Sequence, residues 1–236
     1  MTTIPVLGIP VLNRPDLIRK CIDSIDHPVG TIAVINNSKD IGMTNMLKRI
    51  CRKHRNVRVI NNPKNAGVGG SWNQIFRTFS APWWFIVGSD IRFERGSIAK
   101  IVREVEVHPE SVLYFANGFS AFVITSRCLD IIGTFDENYY PAYLEDCDYF
   151  RRFQLSGTEA RHIPEIRMEH VGSATIRSNP ELQRKNGITH TENWVYHRAK
   201  WGDPAQFKTP FNDPNLTIKD WTLDQERRAR QDWDNL

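Results

Sequence analysis

Ile4-Pro5-Val6-Leu7-Gly8-Ile9-Pro10-Val11-Leu12 is a mostly apolar run that breaks into the turn Asn13-Arg14-Pro15-Asp16. Leu17, Ile18, Cys21, Ile22 and Ile25 then recur at helical spacing, with Pro15 near the first helical position. A short run without polar alternation is the mark of a strand buried on both faces, as in a parallel sheet. The same unit repeats down the chain. Thr31-Ile32-Ala33-Val34-Ile35 ends in Asn36-Asn37-Ser38-Lys39-Asp40, with a helix expected over 43–52. Asn56-Val57-Arg58-Val59-Ile60 ends in Asn61-Asn62-Pro63-Lys64-Asn65, with a helix expected over 71–79. Trp83-Trp84-Phe85-Ile86-Val87 is closed by Gly88-Ser89-Asp90. Strand and helix in strict alternation imply an α/β fold, a mainly parallel central sheet flanked by helices and joined by right-handed crossovers. Ligands collect at the carboxyl ends of such strands, which directs attention to the loops at 10–14, 36–40, 61–70 and 88–92.

The second half is less regular. Residues 111–115 and 121–124 read as strands that extend the sheet, and 161–170 as a short strand and loop. From Pro180 the character changes: 193–201 fits a helix, 202–214 is rich in Pro, Asp and Asn, and 218–234 is a charged helix candidate bearing Trp221 and Trp233. The expected organisation is one domain over 1–179 with a C-terminal helical extension over 180–236 packed on it.

At 236 residues, with 40% hydrophobic and 25% charged residues, the chain is long enough for a sizeable core and has ordinary globular composition. A net charge of +4 permits a nucleic-acid partner without implying one. Cys21, Cys51, Cys128 and Cys147 lack both CxxC spacing and the density of a disulfide scaffold, which points to reduced thiols in the cytoplasm. The chain runs into its first strand without a basic, cleavable leader, and no apolar run approaches the roughly 18–20 residues of a membrane span.

Pro141-Ala142-Tyr143-Leu144-Glu145-Asp146-Cys147-Asp148-Tyr149-Phe150-Arg151-Arg152 places three carboxylates within four residues, after the aromatic turn Phe135-Asp136-Glu137-Asn138-Tyr139-Tyr140. A helix beginning near Leu144 would carry an acidic first turn, which complements the helix dipole, and would let Asp148 pair with Arg152 at i,i+4. Tyr139, Tyr140, Tyr143 and Tyr149 are expected around these carboxylates, a setting suited to a general base facing a sugar hydroxyl.

Taken in order, several pieces resemble the glycosyltransferases of the GT-A (nucleotide-diphospho-sugar transferase) fold, in the broad family 2 group of inverting enzymes. They are Pro10-Val11-Leu12-Asn13-Arg14-Pro15-Asp16, Ile35-Asn36-Asn37-Ser38, Asn65-Ala66-Gly67-Val68-Gly69-Gly70-Ser71-Trp72-Asn73, Gly88-Ser89-Asp90-Ile91-Arg92-Phe93, Phe135-Asp136-Glu137 with Glu145-Asp146-Cys147-Asp148, and His170-Val171-Gly172-Ser173. Tyr196-His197-Arg198-Ala199-Lys200-Trp201-Gly202 more loosely resembles the tails of compact phage-encoded members, which would place the protein in the host cytoplasm.

The resemblance implies a donor site drawn from Pro10, Val11, Asn13, Arg14, Asn36, Asn65, Gly67, Asn73, Ser89 and Arg177. Asn36 stands where the family often has an acidic contact to the base, and an amide donates as well as accepts. That leaves the base open, with a UDP-sugar the commonest choice. The family usually sets two or three aspartates after the fourth strand, where this chain reads Gly88-Ser89-Asp90. Asp90 is therefore the implied metal ligand and His170 the second, for Mn2+ or Mg2+ completed by phosphate oxygens and water. A metal-independent mechanism would instead use Arg92 or Arg177 against the diphosphate.

The glycines from Gly67 to Gly70 match neither GxGxxG nor the GK[ST] of a P-loop, and the resemblance assigns them to the floor of the nucleotide site. Lys48, Arg49, Arg52, Lys53, Arg55 and Arg58 read first as a solvated helix face and second as a phosphate-backbone contact. Trp194, Trp201, Trp221 and Trp233 are core anchors or stacking platforms. The function implied is transfer of a sugar from a nucleotide-diphosphate sugar to a hydroxyl of a virion protein, a glycan or a modified DNA base. Asp146 would be the base and Glu145 the runner-up. The alternative is a catalytically degenerate module that binds a nucleotide-sugar or glycan.

Overall fold

The computed structural model describes residues 2–172, 174–177, 180–202, 218, 219 and 221–230. Four parallel strands build one side of the sheet: β1 (Ile4–Val11), β2 (Val29–Asn36), β3 (Val57–Asn61) and β4 (Trp83–Val87). The helices α1 (Pro15–Asp23), α2 (Ile41–Lys53) and α3 (Gly67–Thr78) connect them. After the short strand β5 (Ile91–Phe93) and α4 (Ser97–Val107), the hairpin β6 (Leu113–Asn117) and β7 (Ala121–Thr125) joins the sheet, followed by α5 (Ser126–Ile132) and α6 (Glu145–Leu155). The strand β8 (Arg161–His162) completes a seven-stranded order β3-β2-β1-β4-β7-β6-β8. β7 is antiparallel to both β4 and β6, and the remaining pairs are parallel. The strand β9 (Met168–His170) pairs antiparallel with β5 in a separate ribbon, and α7 (Ala174–Arg177), α8 (Pro180–Trp201) and α9 (Gln225–Arg230) follow. The α/β class and the mainly parallel, helix-flanked sheet are as the sequence predicts.

Continuous apolar strands arise because both faces of the sheet are covered. Ile32 and Val34 of β2, Phe85 and Val87 of β4, and Val123 of β7 enter one core. Ala33, Ile35, Trp84, Ile86, Phe122 and Ile124 enter the other. Gly8 on β1 is set by this packing, since a Cβ there would lie 2.6 Å from Ile75 of α3 and 2.8 Å from Ile86. A side chain there would force the Ile75 and Ile86 side chains to repack.

The helix starts follow local chemistry. Pro15 opens α1, where its missing N–H costs nothing. Asp40 caps α2 by accepting from the Met43 N–H at 2.7 Å, and Thr125 caps α5 through Cys128. All six cations between Lys48 and Arg58 are exposed, but only Lys48, Arg49, Arg52 and Lys53 lie on α2; Arg55 follows the helix and Arg58 is on β3, so the expected helix face holds for four of them. The four cysteines are free.

Three readings need correction. α3 begins at Gly67, four residues before the start expected at Ser71. α8 begins at Pro180, well ahead of the expected Asn193. Its buried positions include Thr189, Asn193, His197 and Trp201, so a largely polar stripe faces inward and hydrophobic periodicity has nothing to report. Among the described residues the final helix covers only Gln225–Arg230, and Trp233 lies outside them. No helix among the described residues is long and apolar enough to cross a membrane.

Candidate active site

A cavity of about 420 Å³ opens at the carboxyl ends of the parallel strands. Pro10, Val11 and Leu12 line it at the end of β1, Asn37 after β2, Asn65, Gly67, Val68 and Trp72 around the start of α3, and Gly88, Ser89 and Asp90 after β4. Phe119 and Ser120 of the β6–β7 hairpin face them, with Pro141, Ala142, Tyr143, Glu145 and Asp146 from the approach to α6. His170 of β9 and Ile176 of α7 close the ring. All four strand-end loops singled out by the topology contribute.

One wall of the cavity is built by an interlocked set of amides. Asn36 is 1% exposed, and its side chain donates to Asn61 Oδ1 at 2.8 Å and accepts from the Ser38 N–H. It ties β2 to β3 behind the cavity, and Asn37 forms the wall. Asn37 Oδ1 accepts from Asn62 and from the Ala66 N–H, while its Nδ2 donates to Ser71 Oγ at 2.8 Å. Asn65 Oδ1 accepts from the Gly67 N–H at 2.9 Å. Gly67 has φ 74°, and a Cβ would come within 2.9 Å of both the Pro141 carbonyl and the Tyr140 ring. The Val68 N–H donates to that carbonyl at 2.7 Å, so the glycine-rich start of α3 and the approach to α6 form one continuous wall.

Asn73 is fully buried and points away from this wall. It donates to the Phe135 carbonyl and to Glu137, and accepts from the Phe135 N–H. Asn13 and Arg14 lie beyond the lining. Arg14 takes a left-handed conformation at φ 58° and holds Asp16 through two bonds of 2.8 and 2.9 Å. The Asp16 hydrogen bond foremost, with the Asp90 charge adding to it, raises the Arg14 guanidinium. Arg92 pairs with Glu169 at 3.3 Å on the surface, and Arg177 is exposed beside the lining residue Ile176.

At the other end, Asp90 Oδ1 lies 3.5 Å from His170 Nε2, and Asn117 Nδ2 sits 3.4 Å from His170 Nδ1. One carboxylate and one imidazole, held by neighbouring groups and open to the cavity, suit a divalent ion that also takes phosphate oxygens and water. No group of three or more His, Cys, Asp or Glu side chains fit for a metal occurs among the described residues. Asp90 and His170 are the two side chains at this position that could contribute to such a site.

Glu145 and Asp146 open α6 and both face the cavity. They differ in environment. Glu145 is buried, and its Oε2 has no hydrogen-bond partner among the described residues. Burial, with the Asp146 charge second, raises the Glu145 carboxyl well above its usual value and displaces it toward the neutral acid. Asp146 is half-buried, and its Oδ1 accepts from the Cys147 N–H at 2.8 Å. Asp148 points the other way into a sealed ionic cluster. Arg152 Nε lies 2.9 Å from its Oδ2, and Lys200 Nζ lies 2.6 Å from its Oδ1 and 2.7 Å from Asp136. Burial alone would raise Asp148, but Arg152 and Lys200 overcome it and hold the carboxyl low.

The tyrosines divide likewise. Tyr143 lines the cavity, whereas Tyr149 stacks on Phe135 at 4.1 Å, Tyr139 bonds His197 at 2.9 Å, and Tyr140 packs under Arg228. The aromatic wall that the sequence reading did not assign is Trp72 with Phe119, ring centroids 6.3 Å apart. Trp72 sits inside the glycine-rich motif and Phe119 in the turn after Asn117-Gly118, a position where an apolar residue is itself a signal. Trp201 is buried and donates to Asp148, an anchor.

The sequence model of Glycosyl transferase family 2 matches residues 7–126. A galactofuranosyl glycosyltransferase of Leishmania donovani is 22% identical, over 98% of this chain and 76% of its own length. Among solved structures, the mannosyltransferase PcManGT from Pyrobaculum calidifontis in complex with GDP-Man and Mn2+ superposes with a TM-score of 0.62 at 14% identity. That match covers 81% of this chain, which spans 64% of the length of PcManGT. S. aureus TarS 1-349 in complex with UDP-GlcNAc gives a TM-score of 0.56 at 16% identity, over 80% of this chain and 66% of that one.

Proposed function

This chain belongs to Glycosyl transferase family 2 and is a glycosyltransferase, and we propose that its strand-end cavity takes a nucleotide-sugar donor and passes the sugar to an acceptor hydroxyl with inversion. The observation that carries the proposal is the presence of two unlike pairs of side chains in one cavity. Asp90 and His170, the pair we assign to the diphosphate, line it together with Glu145 and Asp146 from the head of α6.

The nucleoside lies along 10–12, Asn37 and Asn65, where rigid amides and the exposed edge of β1 give a polar rim. A UDP-sugar is the first candidate, in keeping with the TarS complex, and a GDP-sugar the second, in keeping with PcManGT. Asp90 and His170 would hold Mn2+ or Mg2+, which when bound supplies positive charge to the leaving diphosphate. In the transfer, Asp146 removes the acceptor hydroxyl proton. The acceptor oxygen forms a bond to the anomeric carbon as the bond from that carbon to the diphosphate oxygen breaks. A single in-line displacement inverts the centre. Tyr143, Trp72 and Phe119 wall the reacting groups from water. Glu145, displaced toward its neutral form, is a hydrogen-bond donor for a sugar hydroxyl. Acceptors compatible with this site are hydroxyls of a virion protein, a glycan or a modified DNA base, in a host cytoplasm if the protein is phage-encoded.

A thermal-shift panel of UDP- and GDP-sugars, with and without Mn2+, tests the proposal. A donor at 100 times its dissociation constant adds about 2.7 kcal/mol of stability. Release of nucleoside diphosphate from the same donor separates a transferase from a module that binds without turnover. Stabilisation with no release even in long incubation would favour the binding module.

A further inference from the structure

We propose that Asn193 of α8 is a positioning residue for the proposed base Asp146, an inference that rests on the transferase reading above. The chain reaches α6 through two consecutive residues in the left-handed region, Tyr143 at φ 75° and Leu144 at φ 72°. Neither is a glycine, and bulky side chains avoid this region unless their surroundings hold them there. Asn193 does the holding. It is fully buried, and its Nδ2 donates to the Ala142 carbonyl at 3.0 Å and the Tyr143 carbonyl at 3.2 Å. Those are the two peptide groups on either side of Tyr143.

The amide orientation is forced, because the reverse assignment would set an oxygen against two carbonyl oxygens. Asn193 Oδ1 in turn accepts from Arg227 Nη2 at 2.7 Å, and Arg227 lies over the Tyr196 ring at 4.6 Å. The kink then feeds the helix directly, since the Leu144 carbonyl accepts from the Asp148 N–H at 2.9 Å. Further along α8, Lys200 and Trp201 grip the Asp148 side chain. One helix therefore fixes the chain just before and just after Glu145-Asp146. The two grips differ in kind. The Asp148 cluster is sealed from the cavity, whereas Ala142 and Tyr143, whose carbonyls Asn193 holds, line it.

The test compares wild type, Asn193→Ala and Asn193→Asp in the full chain. Misplacement of a catalytic group by about 1 Å costs up to 100-fold in rate, so kcat for nucleoside diphosphate release should fall about 10- to 100-fold in Asn193→Ala. The dissociation constant for UDP or GDP should stay within about 2-fold, since no nucleotide contact is touched. Asn193→Asp keeps the size and the Arg227 pairing but turns oxygens toward the carbonyls, so it should do no better than Ala. Amide hydrogen exchange over 143–146 should quicken in both. Arg227→Met, which removes the Oδ1 tether and the charge over Tyr196 but leaves the Asn193 bonds to Ala142 and Tyr143 in place, should show a smaller fall in kcat and serves if the Asn193 variants do not fold. Unchanged kcat with a lowered Tm, a parallel loss of nucleotide affinity, or restored kcat in Asn193→Asp would overturn the positioning role. If wild type itself turns over no donor, the transferase reading fails separately. Hydrogen exchange then decides the inference, and unchanged exchange over 143–146 would overturn it.

Discussion

Asp90 Oδ1 and His170 Nε2 stand 3.5 Å apart across the β5–β9 ribbon, whose register sets Ile91 opposite His170. Residues eighty positions apart in sequence thus share one end of the cavity. If they hold the divalent ion, Asp90→Ala should abolish the tightening of nucleoside diphosphate binding by Mn2+, and His170→Ala should reduce it. Titration calorimetry with and without Mn2+ checks this. Equal metal-dependent affinity in wild type and Asp90→Ala would contradict it.

Glu145 makes stability depend on pH. Unfolded, its carboxyl ionises near 4.5, and the folded chain holds it well above that. Folding therefore retains a proton between the two values. The associated stability is full below the unfolded value and is lost as pH rises through the folded one. Glu145→Gln removes this loss. Wild type and variant should melt alike at about pH 4, and the variant should melt higher at neutral and alkaline pH. Melting curves across that range test it, and a variant less stable at high pH would contradict it.

Asp148 behaves in the opposite sense. Asp148→Asn leaves Arg152 buried without its counter-charge and Lys200 with Asp136 alone, and losing one partner of a buried pair costs about 3–5 kcal/mol. Its carboxyl is held low, so the wild-type advantage should shrink as pH falls through that low folded value. Urea unfolding at neutral and acid pH measures both effects. A loss under about 1 kcal/mol would mean the cluster is solvated like a surface pair.

The parallel half of the fold was legible because burial on both faces leaves apolar strands, and polar residues then mark the strand ends where the cavity forms. Asp146 and Glu145 were legible as acidic residues at a helix start, though only the structure separates buried Glu145 from the more open Asp146. The four tyrosines could not be sorted by proximity in sequence, since Tyr143 lies on a left-handed kink and the others face the core or α8. Asn36 and Asn73 carry motif positions yet spend their amides on neighbouring backbone and side chains, a division no single sequence displays. The start of α8 was hidden because Gly187 weakens the helical signal and its inward stripe is polar.

The central claim is that Asp146 takes the acceptor proton at the head of α6. Loss of a general base costs about 10² to 10⁴ in rate. The most direct measurement pairs steady-state turnover of the best-binding nucleotide-sugar with donor affinity, in wild type, Asp146→Asn and Glu145→Gln. Asp146→Asn should lose most of its turnover with donor affinity close to wild type, and Glu145→Gln should lose less. Near-normal turnover in Asp146→Asn would contradict the account, and with activity lost in Glu145→Gln it would move the base to Glu145.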